Sequence, residues 1–413
     1  MSSNSDSVTV NLASEMERSK GGALRQPAAV WAVFFASIAA FMGMGLVNPI
    51  LRELSVKLHA SPSEVSLLFT SYNAIMAIAM LITAVVSTRL GIKRTLLTGV
   101  CIIAAMSVLG GFADNIWTLV GLRAGWGLGN ALFVATALTA LVSLSSRGTA
   151  KAIILYEAAA GIGMSVGPLL GGTLGSVSWR WPFFGVSIMM VVACVILLLT
   201  MPASRKSVVS AKPTSILAPF RAMKHRSLLT LGIVAALYNI GFFTIMAYAP
   251  FVMGLKPQGM GFVFLGWGVL LGLTSIFMAP KLQIRFGTLK AMSAMLVFFA
   301  LDLAIMGIFT SVQWVVIAAV IFAGAILGNS NTLITAAVMD SAPVERSTAS
   351  AAYSFLRFIG AAISPYMASK LGEHFNSHVP FFVGSAFVLL SVLIVLFNHK
   401  HIRHVDKTNS AHA

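Results

Sequence analysis

YEAAAGIGMSVGPLLGG, residues 156–172, places a carboxylate, Glu157, beside five glycines and a proline in a segment otherwise apolar enough to lie in lipid. A charged side chain at the centre of a bilayer costs about 2.5–3.5 kcal/mol on insertion scales, so a chain that keeps one there needs a use for it. Composition gives the class. Of 413 residues, 58% are hydrophobic and 10% charged, with mean hydropathy +0.90, against about 25% charged in soluble domains. The solvent of this chain is lipid. Cys101 and Cys194 both fall in apolar runs and read as small buried hydrophobes, neither a disulfide pair nor a metal site. The net charge of +16 reports membrane topology in such a chain, so no nucleic-acid partner is expected.

Runs of about 20 apolar residues occur near 28–51, 64–88, 95–113, 116–141, 152–175 and 182–201, and again near 228–253, 260–280, 288–310, 313–338, 349–371 and 381–398. Residues 202–227 between the two sets are polar and carry Arg205, Lys206, Lys212, Arg221, Lys224 and Arg226. The expected organisation is an N-terminal segment 1–27, a six-helix bundle 28–201, a linker 202–227, a second six-helix bundle 228–398 and a tail 399–413. Counting lysine and arginine, the side with both termini and the linker holds 21, the opposite side five (Arg52, Lys57, Arg180, Lys256, Lys370), and two lie inside spans. The positive-inside rule then places both termini in the cytoplasm of a multi-pass cell-membrane protein. The first 27 residues are polar and of mixed charge, unlike a cleavable signal peptide.

The two sets of spans are related by a long repeat. STRLGIKR at 87–94 returns as QIRFGTLK at 283–290, and LGNA at 128–131 returns as LGNS at 327–330. RGTAKAIILYEAAAGIGMS at 147–165 returns within ERSTASAAYSFLRFIGAAIS at 345–364. Offsets of 196–199 relate all three. Duplicated six-helix halves are an architecture of secondary transporters.

These motifs resemble the major facilitator superfamily over nearly the whole chain. LVGLRAGWGLGNA (119–131) is similar to the family's fourth-span motif, and GIGMSVGPLLGG (161–172) to the fifth-span motif of its antiporters. SWRWPFF (178–184) and VNPIL (47–51) resemble its drug:proton antiporter branch, more narrowly the aromatic compound/drug exporters. The resemblance implies an all-α membrane protein of twelve transmembrane helices in two pseudo-symmetric six-helix bundles. Spans 1, 4, 7 and 10 would line a central cavity and spans 2, 5, 8 and 11 flank it. One departure stands out. The second-to-third-span loop keeps Arg89 and Gly91 but has Thr88 where the family's aspartate belongs and Ala84 where its first glycine belongs, so the usual acidic latch of the cytoplasmic gate is missing.

The fifth-span glycines, Gly161, Gly167, Gly171 and Gly172 together with Gly163, strip side chains from the helix so that a neighbouring backbone can approach closely. Pro168 removes a backbone donor and bends the helix, a combination suited to a gate. Glu157 lies one turn before Gly161 and shares its face and that of Pro168. If that face borders a cavity, the carboxylate can bind and release protons. Arg123, a permanent cation in the fourth span, needs a partner out of lipid. Glu157 is the expected one, because spans 4 and 5 are joined by a short loop, and the resemblance links this arginine to proton coupling. Asp302 in the ninth span reads as structural, and Arg357 in the eleventh as a candidate for the opposite gate. Candidate cavity residues are Asn48, Trp126, Asn130, Tyr238, Asn239, Phe243, Asn329 and Asn331, with Tyr72 and Asn73 able to join them.

No metal site is expected, because His374 and His378 are four apart with only Glu373 nearby, and no cofactor is implied. The chain lacks the GxxxxGK[ST] loop of ATP-driven transport. The expected function is proton-coupled efflux of small aromatic or lipophilic molecules by a monomer in the lipid bilayer, alternating access between two sides. Export of one metabolite, such as a siderophore or an amino acid derivative, is the alternative. A membrane enzyme would need a cluster of ligands or a nucleophile with its base, whereas only two acids lie at membrane depth.

Overall fold

The computed structural model describes residues 27–146, 148–202, 218–341, 344 and 346–402. Residues 1–26, 203–217 of the expected linker and 403–413 of the expected tail lie outside the described residues. Twelve long helices are present: α1 Ala28–Lys57, α2 Pro62–Leu90, α3 Ile92–Gly111, α4 Ile116–Leu144, α5 Thr149–Val177, α6 Trp181–Thr200, α7 Arg226–Met253, α8 Pro257–Phe286, α9 Thr288–Ile308, α10 Gln313–Ser341, α11 Arg346–His374 and α12 Val379–Phe397. Short helices Ala218–Ala222 and His399–Ile402 flank the second set. No strand occurs among the described residues.

Eleven of the twelve are long and apolar enough to cross a membrane. The exception, α11, is 29 residues long and packs among the others, but Ser354, Arg357, Ser364 and Ser369 dilute its apolar character. α1 tightens through a 3-10 turn at Asn48–Ile50, where Pro49 withholds a backbone donor. α8 widens into a π turn at Thr274–Met278, and there the Thr274 hydroxyl reaches Leu270 O at 2.8 Å and Ala325 O of α10 at 2.9 Å.

The repeat read from sequence is visible in the backbone. Gly91 and Gly287, which start α3 and α9, share one left-handed conformation, with φ of 83° and 81°. A methyl group added at Gly163 would lie 2.6 Å from Ile38 O of α1, and one at Gly360 would strike Ala236 O of α7, 198 residues further on. At the next turn Gly167 lets Met42 O approach its Cα, whereas in α11 the Ser364 hydroxyl donates to Ile240 O at 2.6 Å, again 198 residues further on. Each set of six helices buries a core, the first running from Ala29 to Met201 with Ala247 of α7 packed into it and the second from Ala222 to Ile402.

The halves meet at the face bearing the α1–α2 turn. Hydrogen bonds cross between them there from Arg52 to Gly254 O (3.0 Å), from Ser63 to Glu373, between Ser66 and Ser369 (2.5 Å), and from Asn73 to Ala361 O (3.4 Å). α5 and α8 close the same face by contact of small residues: Gly172 lies on Pro257 O, Gly261 on Pro168 O, and Gly268 on Ser165. Lipid gives helices no hydrophobic reason to associate, so such backbone approach supplies the attraction. The zip then ends. At Gly161 of α5 and Gly272 of α8 an added methyl would meet nothing within 4 Å, so the two helices part toward the α2–α3 face.

Candidate functional site

Glu157 lies where α5 and α8 have separated, and it is exposed. The cation within electrostatic reach of it is Arg357 of α11, in the other half. Arg357 also acts on Tyr156 of α5 and Tyr238 of α7. It is half-buried, its guanidinium lies 6.0 Å from the Phe358 ring centroid, and its Nε has no hydrogen-bond partner among the described residues. Tyr156 is fixed by donating to Val134 O at 3.3 Å and by an edge contact with Phe41. Phe243 of α7 is half-buried between the halves, edge-on to Phe69 of α2 at 6.3 Å and against Phe242 at 4.9 Å. Tyr156, Tyr238 and Phe358 thus set aromatic rings near this acid and base.

The expected Arg123–Glu157 pair is not formed. Arg123 is 1% exposed and caged among α1, α2 and α4, with its guanidinium 4.7 Å from the Tyr72 ring centroid and 4.6 Å from that of Trp126. Nη1 donates to Gly43 O at 3.4 Å, and Nε and Nη2 have no partner among the described residues. The reason is register. Arg123 lies two turns into α4 from the α1–α2 face, Glu157 two turns into antiparallel α5 from the other face, so at 1.5 Å per residue they differ in depth by about 20 Å.

The other candidates divide in the same way. Asn130 donates to the Tyr72 hydroxyl and, with Trp126, belongs to the Arg123 cage. Asn48 contacts the Met246 sulfur at 3.2 Å at the closed face. Tyr238 donates to Leu327 O at 3.3 Å. Asn239 and Asn329 bond to carbonyls of their own helices, while Asn329 Oδ1 and Asn331 Oδ1 have no partner among the described residues. Asp302 is buried in α9, with Oδ2 unpartnered among the described residues. Arg89 is exposed at the end of α2, and Gly91 serves as the left-handed cap between α2 and α3. Of the gate glycines, Gly163, Gly167 and Gly171 lie against α1, Gly172 lies against α8 of the other half, and Gly161 borders open space. Cys101 and Cys194 differ from expectation as well. They are exposed and half-exposed neighbours, Sγ to Sγ 3.6 Å, on α3 and α6.

A model of the Major Facilitator Superfamily matches residues 33–280 and 253–412, and the chain belongs to this family. With its spans, membership makes it a multi-pass membrane transporter. Among individual relatives, it is 50% identical over 383 residues to the multidrug efflux protein YfmO of Bacillus subtilis (strain 168), covering 93% of this chain and 96% of that one. It is 32% identical over 163 residues to azole resistance protein 1 of Saccharomyces cerevisiae, 38% of this chain and 26% of that one. In fold it is similar to a D-xylose-proton symporter, with TM-score 0.71 and 14% identity over 89% of this chain and 96% of that one. A bacterial homologue of the lysosomal transporter Spinster, in an inward-facing and unoccupied conformation, gives TM-score 0.69 and 16% identity over 92% of this chain and 96% of that one.

Proposed function

We propose that this chain exports small aromatic or lipophilic compounds across the cell membrane in exchange for protons, as a monomer with both termini in the cytoplasm. The observation that carries the reading is the likeness to YfmO along almost the full length of both chains. The geometry supports it. The α1–α2 face becomes the outer, closed side and the α2–α3 face the cytoplasmic, open side, so the conformation is ready to load from the cytoplasm. Residues 28–201 and 228–398 rock as units about the aromatic midplane, joined by linker 202–227. Glu157 carries the proton, which substrate displaces on binding, and Arg357 of α11 replaces Arg123 as the charge that competes with it. Arg123, locked in its cage, holds α1, α2 and α4 together.

Glu157 ionised and facing Arg357 favours approach of the halves at the cytoplasmic side, while protonation or a bound cation weakens that attraction. A ligand that alters the pair thereby shifts the population of states. Counterflow in proteoliposomes with an imposed pH gradient, across a panel of dyes and metabolites, tests the reading. Glu157→Gln is expected to lose gradient-driven accumulation and to retain binding. Uphill transport at the wild-type rate in that variant removes Glu157 from the mechanism, and transport of a single metabolite from the panel would establish a dedicated exporter.

A further inference from the structure

The first turn of α2 is completed by a residue of the other half. Ser61 is the N-cap, and its hydroxyl accepts from Glu64 N at 3.2 Å. Pro62 has no donor, so the first free backbone N–H of the helix is that of Ser63. That N–H donates to Glu373 Oε1 of α11 at 2.7 Å, and the Ser63 hydroxyl donates to Glu373 Oε2 at 2.9 Å. One carboxylate therefore takes two hydrogen bonds at the positive end of a helix dipole and ties α11 to the start of α2. It stands at the rim of the closed face, one turn beyond the Ser66–Ser369 bond.

Water has a path to it. A cavity of about 410 Å³ opens at this face, and Pro62, Tyr248, Phe251, Thr310, Glu373 and Ser377 are among its walls. The charged and titratable groups around Glu373 come from four elements. On its own helix Lys370 Nζ is 3.4 Å away and His374 turns edge-on to Phe375. On α2 the Glu64 carboxylate is held by Ser61 N at 2.8 Å. On α7 the Tyr248 hydroxyl lies within electrostatic reach, and at the start of α12 His378 Nδ1 is 2.7 Å from Gly307 O.

We propose that Glu373 is the latch of the outer gate, closed while ionised and released by a proton arriving from outside. The proton adds to the carboxylate, the charge facing the α2 dipole disappears, and the Ser63 N–H passes to water. α2 then separates from α11 and the outer face opens. The latch rests on the reading that protons enter from this side during export, and it gives that side its own acid, separate from Glu157.

The test reads the gate without transport. In a full chain carrying Cys101→Ala and Cys194→Ala, spin labels at Lys57→Cys and Gln258→Cys, both exposed at this face on opposite halves, report the outer separation in nanodiscs with no substrate or gradient. The unmodified latch is expected to populate the longer distance increasingly as pH falls. Glu373→Gln should hold the open form at every pH, with the open-to-closed ratio raised about tenfold or more at neutral pH, and Ser63→Ala should give a smaller rise. Glu157→Gln shifts the starting ratio through the cytoplasmic side but should keep an opening on acidification that Glu373→Gln lacks, so loss of export in that variant with the acid-induced opening present speaks only to Glu157. A gate in Glu373→Gln with the distances and pH response of the unmodified latch overturns the proposal, as does an unmodified latch indifferent to pH.

Discussion

Replacing Gly172 and Gly161 by alanine, one at a time, makes the same chemical change on the same helix with opposite expected consequences. A methyl group at Gly172 strikes Pro257 O of α8 and comes within 3.0 Å of Gly261 Cα and 3.1 Å of Gly261 N. These are backbone atoms, so no side chain can swing aside and the helices themselves must shift. Overpacking of this kind costs about 1–3 kcal/mol, and the cost falls only on the state in which α5 and α8 touch. The open-to-closed ratio at the α1–α2 face should therefore rise about 5- to 150-fold. At Gly161 the methyl meets nothing within 4 Å, so the ratio should stay as it is. Helix propensity favours alanine at both sites alike, by about 1 kcal/mol in water, and cancels in the comparison. Distances between spin labels at Lys57→Cys and Gln258→Cys measure the ratio directly. Equal behaviour of the two variants, or a larger shift for Gly161→Ala, would refute the zip of small residues as the element that closes this face.

The remaining predictions concern parts that do not move. Arg123→Lys exchanges a planar cation stacked on Tyr72 and Trp126 for a strongly hydrated point charge. It should lower the unfolding temperature in detergent, by a loss of about 2 kcal/mol or more for the desolvated stacking, with the pH dependence of the outer gate unchanged. Gly287→Ala forces a φ of 81° on a residue with a Cβ. It should destabilise the α8–α9 turn by about 1 kcal/mol or more, seen as a lower unfolding temperature. Cys101 and Cys194, with sulfurs 3.6 Å apart on α3 and α6, should lose both free thiols together on treatment with a lipid-soluble oxidant, without forming a dimer on a non-reducing gel.

The span count, the two halves and their repeat were legible because lipid imposes length and apolarity on every crossing segment. Even α11, the least apolar, was marked by its return of the α5 pattern. The faces of the helices were not legible. A helix surrounded by lipid and other helices is apolar all round, so no stripe tells which side of α4 carries Arg123 inward. Adjacency of α4 and α5 suggested a pair that antiparallel depth forbids, while the cation within electrostatic reach of Glu157 lies 200 positions later in the chain. Cys101 and Cys194 show the same blindness, since two residues in separate apolar runs give no sign that their helices pack side by side. Glu373 drew notice only as a neighbour of two histidines. Its meeting with Ser63, 310 residues away, depends on how the halves dock, which neither repeat records. The one available signal was Ser61-Pro62-Ser63-Glu64, a cap whose proline leaves a donor waiting at Ser63.

The central claim is that Glu157 is the proton carrier that substrate displaces. It is tested most directly by adding a transported dye to the detergent-solubilised protein in weak buffer and following proton release with a pH indicator. The account predicts release on binding at neutral to mildly acidic pH in the wild type and none in Glu157→Gln, with dye affinity retained. Equal proton release in both proteins would contradict it.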